Sequence, residues 1–229
     1  MLQNFESIVL IWLGIGFITF ITLLKIPAPY GKFSKTNWGP MIPSKLGWIV
    51  MEIISPLALL YFFLNGNIEK TPTNITFISL WTIHYFNRSV IYPLRQNNPA
   101  QMPLIIAVLA FLFNVMNGYI NGTYFGSIQE YSAEYMSNWN FIVGVCLFII
   151  GAFINIKSDN ILLSLRSKSG EYKIPEGFMF RYVSFPNYFG EILEWMAFAI
   201  MTWSLAGLSF MIWTMANLVP RAIKGHQWY

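Results

Sequence analysis

Residues 188–220 read YFGEILEWMAFAIMTWSLAGLSFMIWTMANLVP, and only Glu191 and Glu194 in this run are charged. A helix rises about 1.5 Å per residue and a bilayer core is about 30 Å thick, so one crossing uses only about twenty positions. The stretch is too long for a single span and is expected to fold as two helices that turn near 203–207. Upstream, 7–24, 102–120 and 139–156 carry no charged residue. The stretch 46–64 is broken only by Glu52, and 74–94 contains His84 and Arg88. These runs predict an all-α polytopic membrane protein with seven transmembrane helices, forming a single domain over 1–229.

Composition agrees. The 229 residues are 55% hydrophobic and only 10% charged, where an ordinary soluble domain carries roughly 25%. A disordered chain, a disulfide scaffold and a nucleic-acid partner are thereby excluded. Cys146 is the single cysteine, and it settles no redox compartment. The stretch 7–24 lacks the basic leader and cleavage site of a signal peptide.

The basic residues sort by side. Lys25, Lys32, Lys35 and Lys45 follow the first span, Arg95 the third, Lys157, Arg166, Lys168, Lys173 and Arg181 the fifth, and Arg221 and Lys224 the last. The excess of Lys and Arg marks the cytoplasmic face, which predicts an external N-terminus and a cytoplasmic C-terminus. Trp38, Trp48, Trp139, Trp203 and Trp228 stand near span ends, as interfacial anchors do. Asn74-Ile75-Thr76 and Asn121-Gly122-Thr123 match the glycosylation sequon on the external side, a pattern common by chance. The segment 157–186 is the long polar excursion, on the side where a soluble cofactor would arrive.

An ionisable side chain within a bilayer costs at least ~2.5 kcal/mol and normally faces the bundle interior at a site. Glu52, His84, Arg88, Glu191 and Glu194 are such groups. Tyr85 and Arg88 lie three positions apart, and His84 and Arg88 four, so they occupy adjoining faces. Glu52 reads either as a site carboxylate or as the partner of Arg88 in a structural ion pair. His84 reads more readily as a packed core histidine than as a catalyst. Asn187, Glu191 and Glu194 line one stripe and call for donors, from a ligand or from neighbouring basic side chains. Asn155, Asp159, Leu162 and Arg166 form a second stripe, equally readable as a solvated helix end.

Two histidines cannot build a histidine-rich di-iron site, and no residue pair stands at zinc spacing, so no metal is expected. There is no P-loop, nucleophile elbow or complete G-x-G-x-x-G loop. Any dinucleotide would be held by a non-Rossmann, intramembrane arrangement. A transporter with an intramembrane Glu–Arg pair is disfavoured by the absence of an internal repeat.

The ordered set 154–159 (INIKSD), Leu165-Arg166, Tyr182-Val183-Ser184, 187–192 (NYFGEI), Glu194-Trp195, Pro220-Arg221-Ala222 and Trp228-Tyr229 resembles the steroid 5α-reductase family of membrane enoyl reductases. Pro29-Tyr30-Gly31-Lys32, Met51-Glu52 and 84–88 (HYFNR) extend the resemblance upstream, and the chain is read as a bacterial homologue. The resemblance implies a seven-helix fold that takes NADPH from the cytoplasmic side. It implies reduction of a C=C bond conjugated to a ketone, typically the Δ4 bond of a 3-oxosteroid. By the same resemblance Glu52 and Tyr85 are catalytic and grip the carbonyl oxygen, with Arg88 and Glu194 in support. Asn155, Asp159, Arg166, Asn187, Glu191, Arg221 and Tyr229 would line the cofactor site, joined by Tyr30, Lys32, Tyr172 and Lys173. Relatives have consecutive histidines where this chain has Gly225-His226, and they continue past Tyr229. That departure marks either a fragment or a less fully closed cofactor pocket. Reduction of a polyprenol or an enoyl thioester is the alternative within the superfamily. The expected partners are a steroid or other lipophilic enone and membrane lipid, with the protein a monomer. Its place would be the cytoplasmic membrane if bacterial, or the endoplasmic reticulum if eukaryotic.

Overall fold

The computed structural model describes residues 2–96, 100–165 and 173–229. Seven long helices are present among them: α1 (Leu2–Lys25), α2 (Ser44–Leu64), α3 (Pro72–Phe86), α4 (Leu104–Thr123), α5 (Trp139–Leu165), α6 (Pro186–Thr202) and α7 (Leu205–His226). The protein is an all-α membrane protein. Four stretches are long and apolar enough to cross a bilayer: Leu2–Lys25, Ser44–Leu64, Leu104–Ile128 and Trp139–Leu165. Helices α3 and α6 are short, at 15 and 17 residues, and α7 is long enough but more polar.

The helices form two compact units. Unit one is Met1–Pro27 with Ser137–Tyr229, and unit two is Ala28–Met136.

In unit one the long apolar run divides as its length requires. Helix α6 ends at Thr202, Trp203 takes a left-handed conformation (φ 47°, ψ 44°), and Ser204 caps α7 by accepting from the Gly207 N–H at 2.9 Å. A left-handed residue at a helix end reverses the chain within one step. Helix α1 packs on α7 through Trp12 and Trp213, whose rings lie 4.5 Å apart, with the Trp213 indole donating to the Trp12 carbonyl at 3.0 Å. Its other face, with Leu10, Ile11, Phe17 and Ile18, is exposed. Helices α5 and α6 touch backbone to backbone. A Cβ on Gly151 would stand 2.7 Å from the Gly190 carbonyl oxygen, and one on Gly190 would stand 2.5 Å from the Asn155 nitrogen. Small residues permit this approach, and it is what brings the polar stripe of α6 against that of α5.

In unit two a short antiparallel ribbon, β1 (Met41–Pro43) with β2 (Gln101–Pro103), pairs Ile42 with Met102 and launches α2 and α4 together. The two helices run parallel, with Gly118 facing Ala58, Gly122 facing Phe62, and Gly126 reaching Gly66. Helix α3 continues through a π turn at Asn87–Ile91 into Tyr92–Leu94. Pro93 accounts for the widened turn, since it has no N–H and its ring clashes with the carbonyl four residues back. A second π turn, Tyr124–Ile128, extends α4.

Two expectations change in detail. Trp38, Trp139, Trp203 and Trp228 are exposed, but Trp48 is half-buried and packs edge-on to Tyr30 at 5.9 Å. It belongs to the core around Met51, Met102 and Ala107 rather than to an outer belt. The two sequon asparagines, Asn74 and Asn121, are wholly buried, and their amides donate to the carbonyls of Phe125 and Asn117. They serve packing, because a glycan acceptor must be exposed.

Candidate active site

The polar residues singled out from sequence gather in two groups, one in each unit. In unit two, α2 carries Glu52, half-buried, one turn beyond Trp48. Pro56 has no N–H, so the Glu52 carbonyl lacks its helical donor within α2. At the end of α3, Tyr85 is 5% exposed and stacks on the wholly buried Trp81, centroids 5.6 Å apart. The Trp81 indole donates to the Ser55 hydroxyl at 3.1 Å. The Tyr85 hydroxyl donates to Oδ1 of Asn114 at 3.3 Å, and Asn114 Nδ2 donates to the Met51 carbonyl at 2.6 Å. The Ser89 hydroxyl donates to the Tyr85 carbonyl at 2.6 Å, at the start of the π turn. Such turns often mark functional positions in helices.

Arg88 stands on that π turn with its guanidinium over the rings of Trp48 (5.4 Å) and Tyr92 (5.3 Å). His84 is buried, edge-on to Tyr85, in keeping with a packed histidine. Tyr30 and Lys32 also lie in unit two. The Lys32 ammonium sits beside the Phe33 ring, and burial pushes its pKa below the usual lysine value.

Unit one carries the second group. Helix α5 extends past residue 156 to Leu165, so Asn155 and Asp159 are helical, and both are buried. Asn155 Nδ2 donates to the Asn187 carbonyl at 2.9 Å, and Asn187 Nδ2 donates to Oδ1 of Asp159 at 3.1 Å. The Asn187 Oδ1 and the Ser158 hydroxyl are buried here with no hydrogen-bond partner among the described residues. Glu191 is half-buried one turn along α6, and Glu194 is 1% exposed against α5.

At the far end of α7, Arg221 Nε donates to the Tyr188 hydroxyl at 2.9 Å. Phe185 lies between Tyr188 and Tyr229, stacked on each at 5.3 Å. Phe185 also fills the space a side chain at Gly225 would need. Ser184 and His226 share a 2.6 Å hydrogen bond, so His226 ties the helix end to the segment before α6. Lys173 is exposed. Arg166 and Tyr172 lie outside the described residues. Among the described residues no three His, Cys, Asp or Glu side chains are grouped as metal ligands.

Asn114, Ser158 and Phe185 were not singled out from sequence. Asn114 heads a buried column with Asn117 and Asn121 on α4, at steps of three and four residues. Amides at helical spacing in an apolar run were the available signal, and an uncharged amide does not stand out as an ionisable group does.

Residues 100–229 match the family described as 3-oxo-5-alpha-steroid 4-dehydrogenase. That match takes in the unit-one group and begins after Glu52 and Tyr85. Similarity to individual relatives reaches beyond that segment. The chain is 42% identical over 219 residues to "Steroid 5-alpha-reductase DET2" of Gossypium hirsutum, covering 92% of this chain and 84% of the relative. It is 36% identical over 219 residues to "3-oxo-5-alpha-steroid 4-dehydrogenase 1" of Rattus norvegicus, covering 93% and 84%. Against the Homo sapiens protein of the same description it is 32% identical over 220 residues, covering 94% and 85%.

Proposed function

Because the chain belongs to the 3-oxo-5-alpha-steroid 4-dehydrogenase family, and is thus a membrane oxidoreductase, we propose that it reduces the C=C bond of a lipophilic enone, a 3-oxo-Δ4-steroid, to the 5α-reduced ketone. NADPH, when bound, supplies the hydride. The observation that carries the reading is Tyr85, a neutral phenol held in an apolar, aromatic-walled position beside the helix that bears Glu52.

Addition of hydride to the β-carbon moves negative charge onto the carbonyl oxygen. A preorganised donor in a dry site stabilises that charge best, because no water must reorient. Tyr85 is that donor and Glu52 orients it or donates beside it. Arg88, held between Trp48 and Tyr92, steadies the turn that follows. The proton for the α-carbon comes from water.

The unit-one group suits a nicotinamide dinucleotide. An amide oxygen and a hydroxyl, buried without partners among the described residues at Asn187 and Ser158, call for incoming donors of the kind a carboxamide or ribose carries. Asn155 and Asp159 hold Asn187 in place for that role, with Glu191 and Glu194 on the same helix. Arg221, aligned by Tyr188, and Lys173 offer positive charge to phosphates, and Tyr229 adds an aromatic face. Arg166 and Tyr172 join this set by family resemblance, and the same resemblance gives Tyr30 and Lys32 of unit two a cofactor-binding role.

The whole chain, 1–229, is taken as one reductase domain and a monomer. It crosses the membrane seven times with the N-terminus outside and the C-terminus in the cytoplasm. Twelve of the fourteen Lys and Arg residues then lie on the cytoplasmic side. Its membrane is the cytoplasmic one in a bacterium and the endoplasmic reticulum in a eukaryote.

The test is turnover of a 3-oxo-Δ4-steroid by detergent-purified protein, followed by NADPH absorbance and product mass. A product two hydrogens heavier, formed with NADPH, is expected. Turnover of a polyprenol or an enoyl thioester with none of the steroid would move the substrate to the other branch of the superfamily.

A further inference from the structure

We propose that Asn114 is a positioning residue for the reduction: it holds the Tyr85 hydroxyl proton in the resting enzyme and releases it to the substrate carbonyl. The inference rests on the reading of Tyr85 as the carbonyl donor. It begins from the orientation of one amide. The Met51 carbonyl can only accept, so the Asn114 atom 2.6 Å from it must be the NH₂ group. The other end of the amide is then an oxygen, with no proton to give, and it faces the Tyr85 hydroxyl. A phenol has a single proton, and the Asn114 oxygen is an acceptor within its reach.

Burial makes the contact matter. Asn114 is 2% exposed and Tyr85 5%, so water does not compete readily for the phenol. Stacking on Trp81 from one side and the Ser89 bond to the Tyr85 carbonyl restrict the ring and its backbone. The free coordinate left to the hydroxyl is rotation about its C–O bond. At 3.3 Å the hydrogen bond to Asn114 is longer than the 2.5–3.0 Å usual for a hydroxyl donor. It is strong enough to orient the proton and weak enough to yield to an oxygen that is gaining negative charge, since hydrogen bonds to ions are roughly twice as strong as neutral ones. No covalent step is involved, only the transfer of one hydrogen bond from the amide oxygen to the substrate oxygen.

The arrangement also links helices of unit two. Asn114 fastens the donor of α3 to the carbonyl one residue before Glu52 on α2. Loss of its side chain would therefore change the phenol's direction without touching the dinucleotide residues of unit one.

The test is a double-mutant cycle in full-length, detergent-purified protein, with kcat and the KM for NADPH measured for wild type, Tyr85→Phe, Asn114→Ala and the pair. Asn114→Ala alone is expected to lower kcat about tenfold, and in the Tyr85→Phe background by less than about twofold, because it acts only through that hydroxyl. The KM for NADPH should not move. Equal losses in both backgrounds, or a wild-type kcat in Asn114→Ala, would overturn the proposal while leaving Tyr85 as donor. A wild-type kcat in Tyr85→Phe would instead remove the reading beneath it. If Asn114→Ala does not fold, as judged by its melting curve, Asn114→Ser is put through the same cycle. A loss that vanishes without the Tyr85 hydroxyl is again the supporting result, and an additive loss the opposing one.

Discussion

Unit two sets its polar groups among aromatic rings, whereas unit one gathers amides and carboxylates against one another. Around Tyr85 and Arg88 the neighbours are mostly rings, namely Trp81, His84, Trp48 and Tyr92. Around Asn187 they are amides, a carboxylate and a hydroxyl. The difference matches two kinds of ligand. A flat apolar molecule with one carbonyl needs a single well-aimed donor and a dry surround, because unneeded polar groups would hold water. A dinucleotide presents many donors, acceptors and charges, and needs a network with open valences to receive them.

The first way to break this contrast is structural and has the largest expected effect. Gly190→Leu would force α5 and α6 apart where their backbones touch. An expected stability loss of about 3 kcal/mol, or failure to fold, would appear in the melting curve. A wild-type melting temperature would show that the network does not depend on that contact.

The second sharpens the contrast by crossing it. Tyr85→Phe should lower turnover at least about tenfold, roughly 1.4 kcal/mol, and leave NADPH affinity unchanged. Glu191→Ala should weaken NADPH binding about fivefold by fluorescence titration, the loss of one hydrogen bond or charge contact. Unchanged turnover in the first variant removes Tyr85 as donor, and unchanged affinity in the second removes Glu191 from the cofactor group. If each variant impaired both properties equally, the division of labour would be wrong.

The smallest effect concerns the turn. Ser204→Ala removes the α7 cap and should lower stability by about 1 kcal/mol with kcat unaltered. A change in kcat would mean that the turn is coupled to catalysis.

How much of this was legible beforehand varies with the physics of each residue. The break in 188–220 was readable from length alone, because no single helix of that length fits a bilayer, and Trp203–Ser204 falls where expected. Helix ends were less readable. Helix α5 runs nine residues beyond 156, since Lys157 and Asp159 do not stop a helix even though they end an apolar run. Trp48 looked like an interfacial anchor because position along a span is visible in sequence and the direction of a side chain is not. Asn114 escaped notice for a related reason. An amide carries no charge to draw the eye, and its importance comes from facing Tyr85 across a distance of 29 residues.

By itself the sequence determined the class of the protein, the approximate helices and the two sets of polar residues, because each follows from hydrophobicity, length or charge counted along one chain. The resemblance carried by residues 154–229 named the chemistry. Tertiary structure alone decided which polar atoms satisfy one another and which stay open. It made Asn155 and Asp159 the clamps on Asn187, left the side-chain oxygen of that amide unclaimed among the described residues, and set the Tyr85 hydroxyl against Asn114. Hydrogen bonds depend on direction and on a few tenths of an ångström. Those are set by how helices pack, and here by a contact between two glycines that no count of residues reveals.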